Sequence, residues 1–167
     1  MYHHRAASDI ANFILNKWKN NEWLNDFISN EIELVGSPND FPSPDAHFQD
    51  RSKKTKASIE FKPHYESKRG MMTGLGQTIG YLNKAHISIL TTPKIIKDTT
   101  EEFDMAEFLK NLFKKYIFGK LPIALISYEI DKSENLKNIK LEVNVDNKLF
   151  PLMKDTITFR GSDKPFW

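Results

Sequence analysis

Ala7, Ile10, Ala11, Ile14, Leu15 and Trp18 recur at helical spacing behind Ser8, a residue type that caps helix N-termini. The spacing predicts an amphipathic helix over residues 8–19, with Asp9 in its first turn. Asn20 and Asn21 interrupt it, and "EWLNDFISN" predicts a second helical piece. "EIELVG" alternates and stops at Gly36, as a short strand does. The prolines of "SPNDFPSP" exclude a helix or a central strand, so this stretch is a loop. "DAHFQD" and "ASIEFK" alternate again and read as neighbouring strands joined by the polar "RSKKTK". "RGMMTGLGQTIGYLNK" predicts a helix with Met72, Leu75, Ile79 and Leu82 on its apolar stripe. "AHISILTTP" and "LPIALISYEI" have the nearly continuous apolar centres of buried strands. Between them, residues 101–117 predict a helix whose core side carries Phe103, Ala106, Leu109, Leu112, Phe113 and Tyr116. "IKLEVNV" and "DTITFRG" read as further strands. Helix, strand meander, then alternating helices and strands make an α/β domain, a mixed central β-sheet flanked by α-helices.

The chain has 167 residues, a length that suits one domain. Hydrophobic residues make up 40 % of it, enough for a packed core. The absence of cysteine excludes a disulfide framework and cysteine-based zinc sites. The N-terminal apolar run is broken by Asp9, Asn12 and Asn16, unlike a signal peptide, and no stretch reaches the ~20 apolar residues of a membrane span. A cytoplasmic location without membrane contact is the expectation. Net charge is only +2, but Lys53, Lys54, Lys56, Lys62, Lys68 and Arg69 crowd one short segment. Such a cluster suits an anionic partner, with a solvated loop as the alternative for Lys53, Lys54 and Lys56. Lys110, Lys114 and Lys115 read as a solvated helix face.

The chemistry concentrates in "PDAHFQD" and "SIEFKP". Pairing these two strands brings Asp45 near Glu60, and the i, i+2 spacing puts Lys62 on the face of Glu60. Two converging carboxylates repel unless a cation lies between them. Their hard oxygens suit Mg²⁺ or Mn²⁺, with the backbone carbonyl of Phe61 as a third protein ligand. A nearby lysine can orient a metal-associated water, and attack of that water on phosphorus is phosphodiester hydrolysis. Other motifs are weaker. "GMMTGLGQT" lacks the lysine of a phosphate-binding loop. His3, His4, His47, His64 and His86 show no metal-ligand spacing, and His47 reads as a partly exposed strand residue. Glu31 and Glu33 read as solvated edge carboxylates, an additional metal ligand being the alternative.

Pro44-Asp45 followed by Glu60-Phe61-Lys62 resembles the PD-(D/E)xK nuclease superfamily, which includes many type II restriction endonucleases. The order helix, three-strand meander, helix, strand is similar to that family's core over roughly residues 8–92. Gln77 and Tyr81, four apart on one helix, resemble the Q-x-x-x-Y element of some of its branches. The resemblance implies a restriction-endonuclease-like core and a Mg²⁺- or Mn²⁺-dependent endodeoxyribonuclease. Asp45 and Glu60 would hold the metal and Lys62 would position the water. Gln77 and Tyr81 would support the site or the DNA backbone, as would Lys53, Lys54, Lys56, Lys68 and Arg69. Duplex DNA is the expected partner, with a homodimer or an additional specificity domain or subunit compatible with it. Phe166 and Trp167 at the end of the chain fit the catalytic domain of a longer protein. A structure-selective DNA nuclease, an RNA nuclease and a non-catalytic binding module are the alternatives.

Overall fold

The computed structural model describes residues 2–37, 41–98, 101–157 and 159. Helix α1 spans Tyr2–Lys19, and strands β1 (Glu33–Val35), β2 (Ala46–Asp50) and β3 (Thr55–Phe61) form a meander. Helix α2 (Lys68–Tyr81) returns the chain to β4 (Ile87–Pro93), which runs parallel to β3. A hairpin of β5 (Ile95–Asp98) and β6 (Glu101–Asp104) precedes helix α3 (Met105–Leu112), then β7 (Ile123–Ile130) and β8 (Leu136–Val143). A short helix α4 (Phe150–Met153) comes last. The protein is thus an α/β domain with a six-stranded mixed sheet in the order β1-β2-β3-β4-β7-β8. Among the described residues, no helix is long and apolar enough to cross a membrane.

The sheet is covered on both faces. Ile10, Ile14 and Trp18 of α1 pack with Phe48, Ile59, Phe61, Ile89 and Ile126 in one apolar layer. Met71 and Leu75 of α2 pack with Leu109 and Phe113, and with Leu90 and Leu125 of the sheet, in the other.

Several elements differ from the sequence expectation. Helix α1 begins at Tyr2 rather than near Ser8. Residues 22–30 are not helical. Asn21 and Trp23 take left-handed φ values of 61° and 60°, and Asn25 Oδ1 accepts from the backbone N–H of Phe27. Side chain–backbone bonds of this kind compete with helix formation. Asp50, fully buried, fixes the same segment by accepting from the N–H and hydroxyl of Ser29.

The expected helix over 101–117 starts four residues late, because Glu101–Asp104 pair with Ile95–Asp98. Asp104 then caps α3 by accepting from the N–H of Glu107 at 2.9 Å. Phe113–Ile117 form a π-helical turn closed by the N–H of Phe118 on the Phe113 carbonyl. The extra residue in this turn breaks the regular helical spacing, and Tyr116, expected in the core, is 55 % exposed. Gly119 leaves that turn at φ 79°, where a side chain would be strained.

On α2 the buried residues are Met71, Gly74, Leu75, Thr78 and Tyr81, whereas Met72 and Ile79 of the expected stripe are exposed. The described part of the expected terminal strand, residues 155–157, is turn and bend. Phe166 and Trp167 lie outside the described residues.

Candidate active site

Strand register assembles the site. Ala46 pairs with Ile59, so Asp45, one step earlier, lies opposite Glu60. The backbone N–H of Asp45 donates to the Ile59 carbonyl at 2.9 Å. Its carboxylate Oδ2 accepts from the N–H of Phe61 at 2.8 Å. Asp45 is therefore held by β3 through both backbone and side chain, and its remaining oxygen, Oδ1, lies 3.8 Å from His3 Nε2.

Glu60 projects from the opposite face of β3 to Ile59 and Phe61, beneath α2. Its Oε1 lies 3.2 Å from Lys62 Nζ, and its Oε2 accepts from the Tyr81 hydroxyl. The hydroxyl also reaches the Ser43 carbonyl, at 3.3 Å. Glu60 is only 5 % exposed and Tyr81 only 2 %. A buried charge needs partners of this kind, because the penalty for removing it from water is otherwise several kcal/mol. Lys62 reaches Glu60 by passing close to α2. A Cβ on Gly74 would stand 2.6 Å from Lys62 Cε and 3.0 Å from Lys62 Cγ, so a glycine at that position makes the passage possible.

Proton affinities follow the burial. Desolvation pushes the Glu60 carboxyl above its ordinary pKa and the nearby Asp45 charge adds to that, against the opposing pull of Tyr81 and Lys62. Desolvation also raises Asp45, opposed by the Phe61 N–H and by His3, Lys62 and His4. The Tyr81 hydroxyl is raised, first by burial and then by Glu60, so it stays a proton donor.

His3, at the start of α1, is the site residue that the sequence did not single out. Its Nε2 lies 3.3 Å from the Phe61 carbonyl oxygen and 3.8 Å from Asp45 Oδ1. The carbonyl can only accept, so Nε2 carries the proton in that contact. The missed signal was the helix start: extending α1 by two turns brings His3 over the end of β3. A groove of about 250 Å³ between α1 and β1 reaches Asp45 from outside, past His4, Ser8 and Leu34.

The other expected site residues divide by position. Gln77, one turn before Tyr81, has its Oε1 buried with no hydrogen-bond partner. Lys68 and Arg69, both exposed, open α2 close after Lys62, and Lys68 Nζ lies 4.4 Å from the Phe103 ring centroid. Lys53 and Lys54 lie in the turn between β2 and β3, and Lys56 lies beside it. Asp50 pairs with Thr55 there, at the far end of both strands from Asp45 and Glu60. These three lysines do not share the site, because an antiparallel hairpin puts its turn at one end and its open termini at the other. His47 is buried rather than partly exposed: its Nδ1 is 2.8 Å from the Ser58 hydroxyl, and burial, helped by Lys56, pulls its pKa down to about 4. Glu31 and Glu33 are exposed, and Glu33 pairs with Gln49, several residues along β2 from Asp45.

Among the described residues, no three His, Cys, Asp or Glu side chains are grouped as metal ligands. The site offers instead two carboxylates and one carbonyl. An all-oxygen set of this size fits Mg²⁺ or Mn²⁺, which keep several positions for water and phosphate. Asp45 and Glu60 repel each other when both are charged, and a cation between them relieves that repulsion.

Compared with known proteins, the chain matches no family model and no curated protein.

Proposed function

We propose that this protein is a metal-dependent endonuclease with a restriction-endonuclease-like core of the PD-(D/E)xK type, hydrolysing phosphodiester bonds of DNA. One observation carries the reading: Asp45 and Glu60 oppose each other across paired strands, with Lys62 folded back onto Glu60. A structural ion pair needs only one carboxylate and one lysine. The second carboxylate raises the cost of the first, and a stability argument gives no reason for it.

Asp45, Glu60 and the Phe61 carbonyl would hold the divalent ion. When bound, that ion supplies neutralising charge and a more acidic water. Tyr81 fixes the rotamer of Glu60 and leaves Oε1 toward Lys62. The Lys62 ammonium brings positive charge to the place where charge builds on phosphorus, a contribution that strengthens as charge develops. His3 steadies the Phe61 carbonyl and stands beside Asp45. Lys68 and Arg69 lie at the same end of the sheet, where they can meet flanking phosphates.

The test is incubation of the purified chain with supercoiled plasmid in Mg²⁺ or Mn²⁺, beside EDTA and Lys62→Ala controls. Metal-dependent nicking by wild type and none by Lys62→Ala is expected. A wild-type chain that leaves duplex and single-stranded DNA intact in both metals overturns the proposal.

A further inference from the structure

A second cavity, of about 640 Å³, lies where the parallel strands β3, β4 and β7 end. Its rim is built by His64 and Tyr65, just after Lys62, and by Lys97 and Glu102 of the β5–β6 hairpin. Tyr128 and Glu129 of β7 also line it. The cavity is joined to the candidate active site through backbone: the Tyr128 hydroxyl donates to the Lys62 carbonyl oxygen at 2.5 Å.

Its size falls within the range of small-molecule sites and exceeds what a water cluster needs. Its chemistry is aromatic and acidic. Tyr65 is 65 % exposed, yet its ring is backed by Tyr2 and His64, with centroids 6.1 Å and 5.3 Å away. These contacts are tilted and edge-on and leave most of the Tyr65 ring accessible, as a base-stacking ring requires. Glu102 and Glu129 outnumber Lys97 in the lining, so a phosphate would be repelled there. Carboxylates do accept hydrogen bonds from the exocyclic amino groups of bases. Glu129 is already oriented by Asn138 Nδ2 at 2.9 Å. The cavity meets the candidate active site at the Lys62 backbone, while the Lys62 ammonium is turned toward Glu60. An acidic and aromatic lining suits a nucleobase rather than a phosphate.

We infer that this cavity lodges an unpaired nucleobase of the substrate strand, stacked on Tyr65. The inference rests on the endonuclease reading. It narrows the substrate to a strand that is single or locally opened beside the cut.

The test begins with binding, so that it does not depend on cleavage. Cytidine, deoxycytidine and uridine 5′-monophosphates and base-free ribose 5-phosphate are titrated into the metal-free full chain and followed by NMR. Cytidine nucleotides should bind at least about tenfold more tightly than ribose 5-phosphate, and Tyr65→Ala should erase most of that margin. Glu129→Gln should narrow the preference for cytidine over uridine, and Lys62→Ala should leave the preference for a base intact. Equal binding of nucleotide and ribose 5-phosphate, or an unchanged margin in Tyr65→Ala, overturns the inference. A second arm compares Mn²⁺-dependent cutting of single-stranded DNA, single-stranded RNA and duplex DNA, to tell which kind of strand supplies the base. Base-selective binding without cutting of any strand would remove the endonuclease reading and leave the base site standing. Cutting that Tyr65→Ala performs at the wild-type rate on single strands would do the reverse.

Discussion

The two faces of β3 follow opposite rules. Toward α1, Ala57, Ile59 and Phe61 are fully buried among other apolar side chains. Toward α2, Ser58 and Glu60 are almost as buried, and Lys62 continues the row with its side chain 12 % exposed. The first face gains stability from each buried methylene, about 0.8 kcal/mol. The second needs partners at each step: Ser58 with His47, Glu60 with Tyr81 and Lys62, and Ser88 of neighbouring β4 with the Thr78 carbonyl. Alternation along one strand therefore separates a face that holds the fold from a face that holds chemistry. Proteins commonly carry such a polar face at a cost in stability where activity requires it.

Substitution on either side of β3 should give different phenotypes. Lys62→Ala should lower cleavage, read by plasmid nicking, by about 10²–10⁴-fold even at temperatures where calorimetry shows the variant folded, the variant also losing some stability because buried Glu60 loses a partner. Wild-type cutting by that variant would make the polar face a structural network and nothing more.

Ile59→Ala, one residue before Glu60, should instead cost about 2–5 kcal/mol in denaturant unfolding, since Ile59 is fully buried. A loss below about 1 kcal/mol would show that the α1 face does not carry the fold as its packing implies.

Gly74→Ala sharpens the contrast, because it touches the polar face without removing a polar group. The new methyl would collide with Lys62, whose flexible chain must move. Cleavage should fall about 10- to 100-fold, the scale of a misplaced catalytic group. The same methyl would stand 3.3 Å from the buried Leu90 Cδ1, so crowding offsets the gain in helix propensity and the net change in stability should be small, and Mn²⁺ binding at Asp45 and Glu60 should survive. Full activity in this variant would mean that the passage of Lys62 beside Gly74 is not required.

Both carboxylates are raised by burial, so the folded state binds protons more readily than the unfolded chain. Their contribution to stability is fully present below the ordinary carboxylate pKa and is lost as pH rises through the raised values. Relative to wild type, metal-free Asp45→Asn should therefore gain in melting temperature as pH rises across that window. Mn²⁺ should then stabilise wild type at neutral pH and leave the variant unmoved. His47 works in the opposite sense: its contribution is present above about 6.5 and is lost as pH falls through about 4. Taking wild type and variant at each pH cancels that background. Parallel melting curves with no metal response would show that the two carboxylates do not act as a pair.

The smallest effect should come from the basic hairpin. Changing Lys53, Lys54 and Lys56 together to Ser should leave the salt dependence of DNA binding nearly unchanged. Lys68→Ser with Arg69→Ser should flatten the slope by about 1–2 in log–log terms, close to one per phosphate contact. The reverse result would place the DNA path at the far end of β2 and β3.

Much of this was legible in one dimension. The i, i+2 spacing of Glu60 and Lys62 dictated a shared face, and the short connection after Asp50 dictated that Asp45 and Glu60 would meet across a hairpin. Alternation marked β2 and β3, and apolar runs marked β4 and β7, whose centres are buried on both faces. Helix α2 was legible as a helix, but its buried side was not. The apolar stripe through Met72 and Ile79 is exposed, and Gly74, Thr78 and Tyr81 face the sheet. Periodicity assumes that a buried face is apolar, and α2 covers the polar side of β3. The same reason hid the contact of Gly74 with Lys62 and the buried Oε1 of Gln77. His3 and the cavity behind Tyr65 depend on where distant segments stop, and no local spacing encodes that. Local sequence decided which side chains share a face of a strand; only the packing of α1, α2 and the β5–β6 hairpin on the sheet decided what those faces meet.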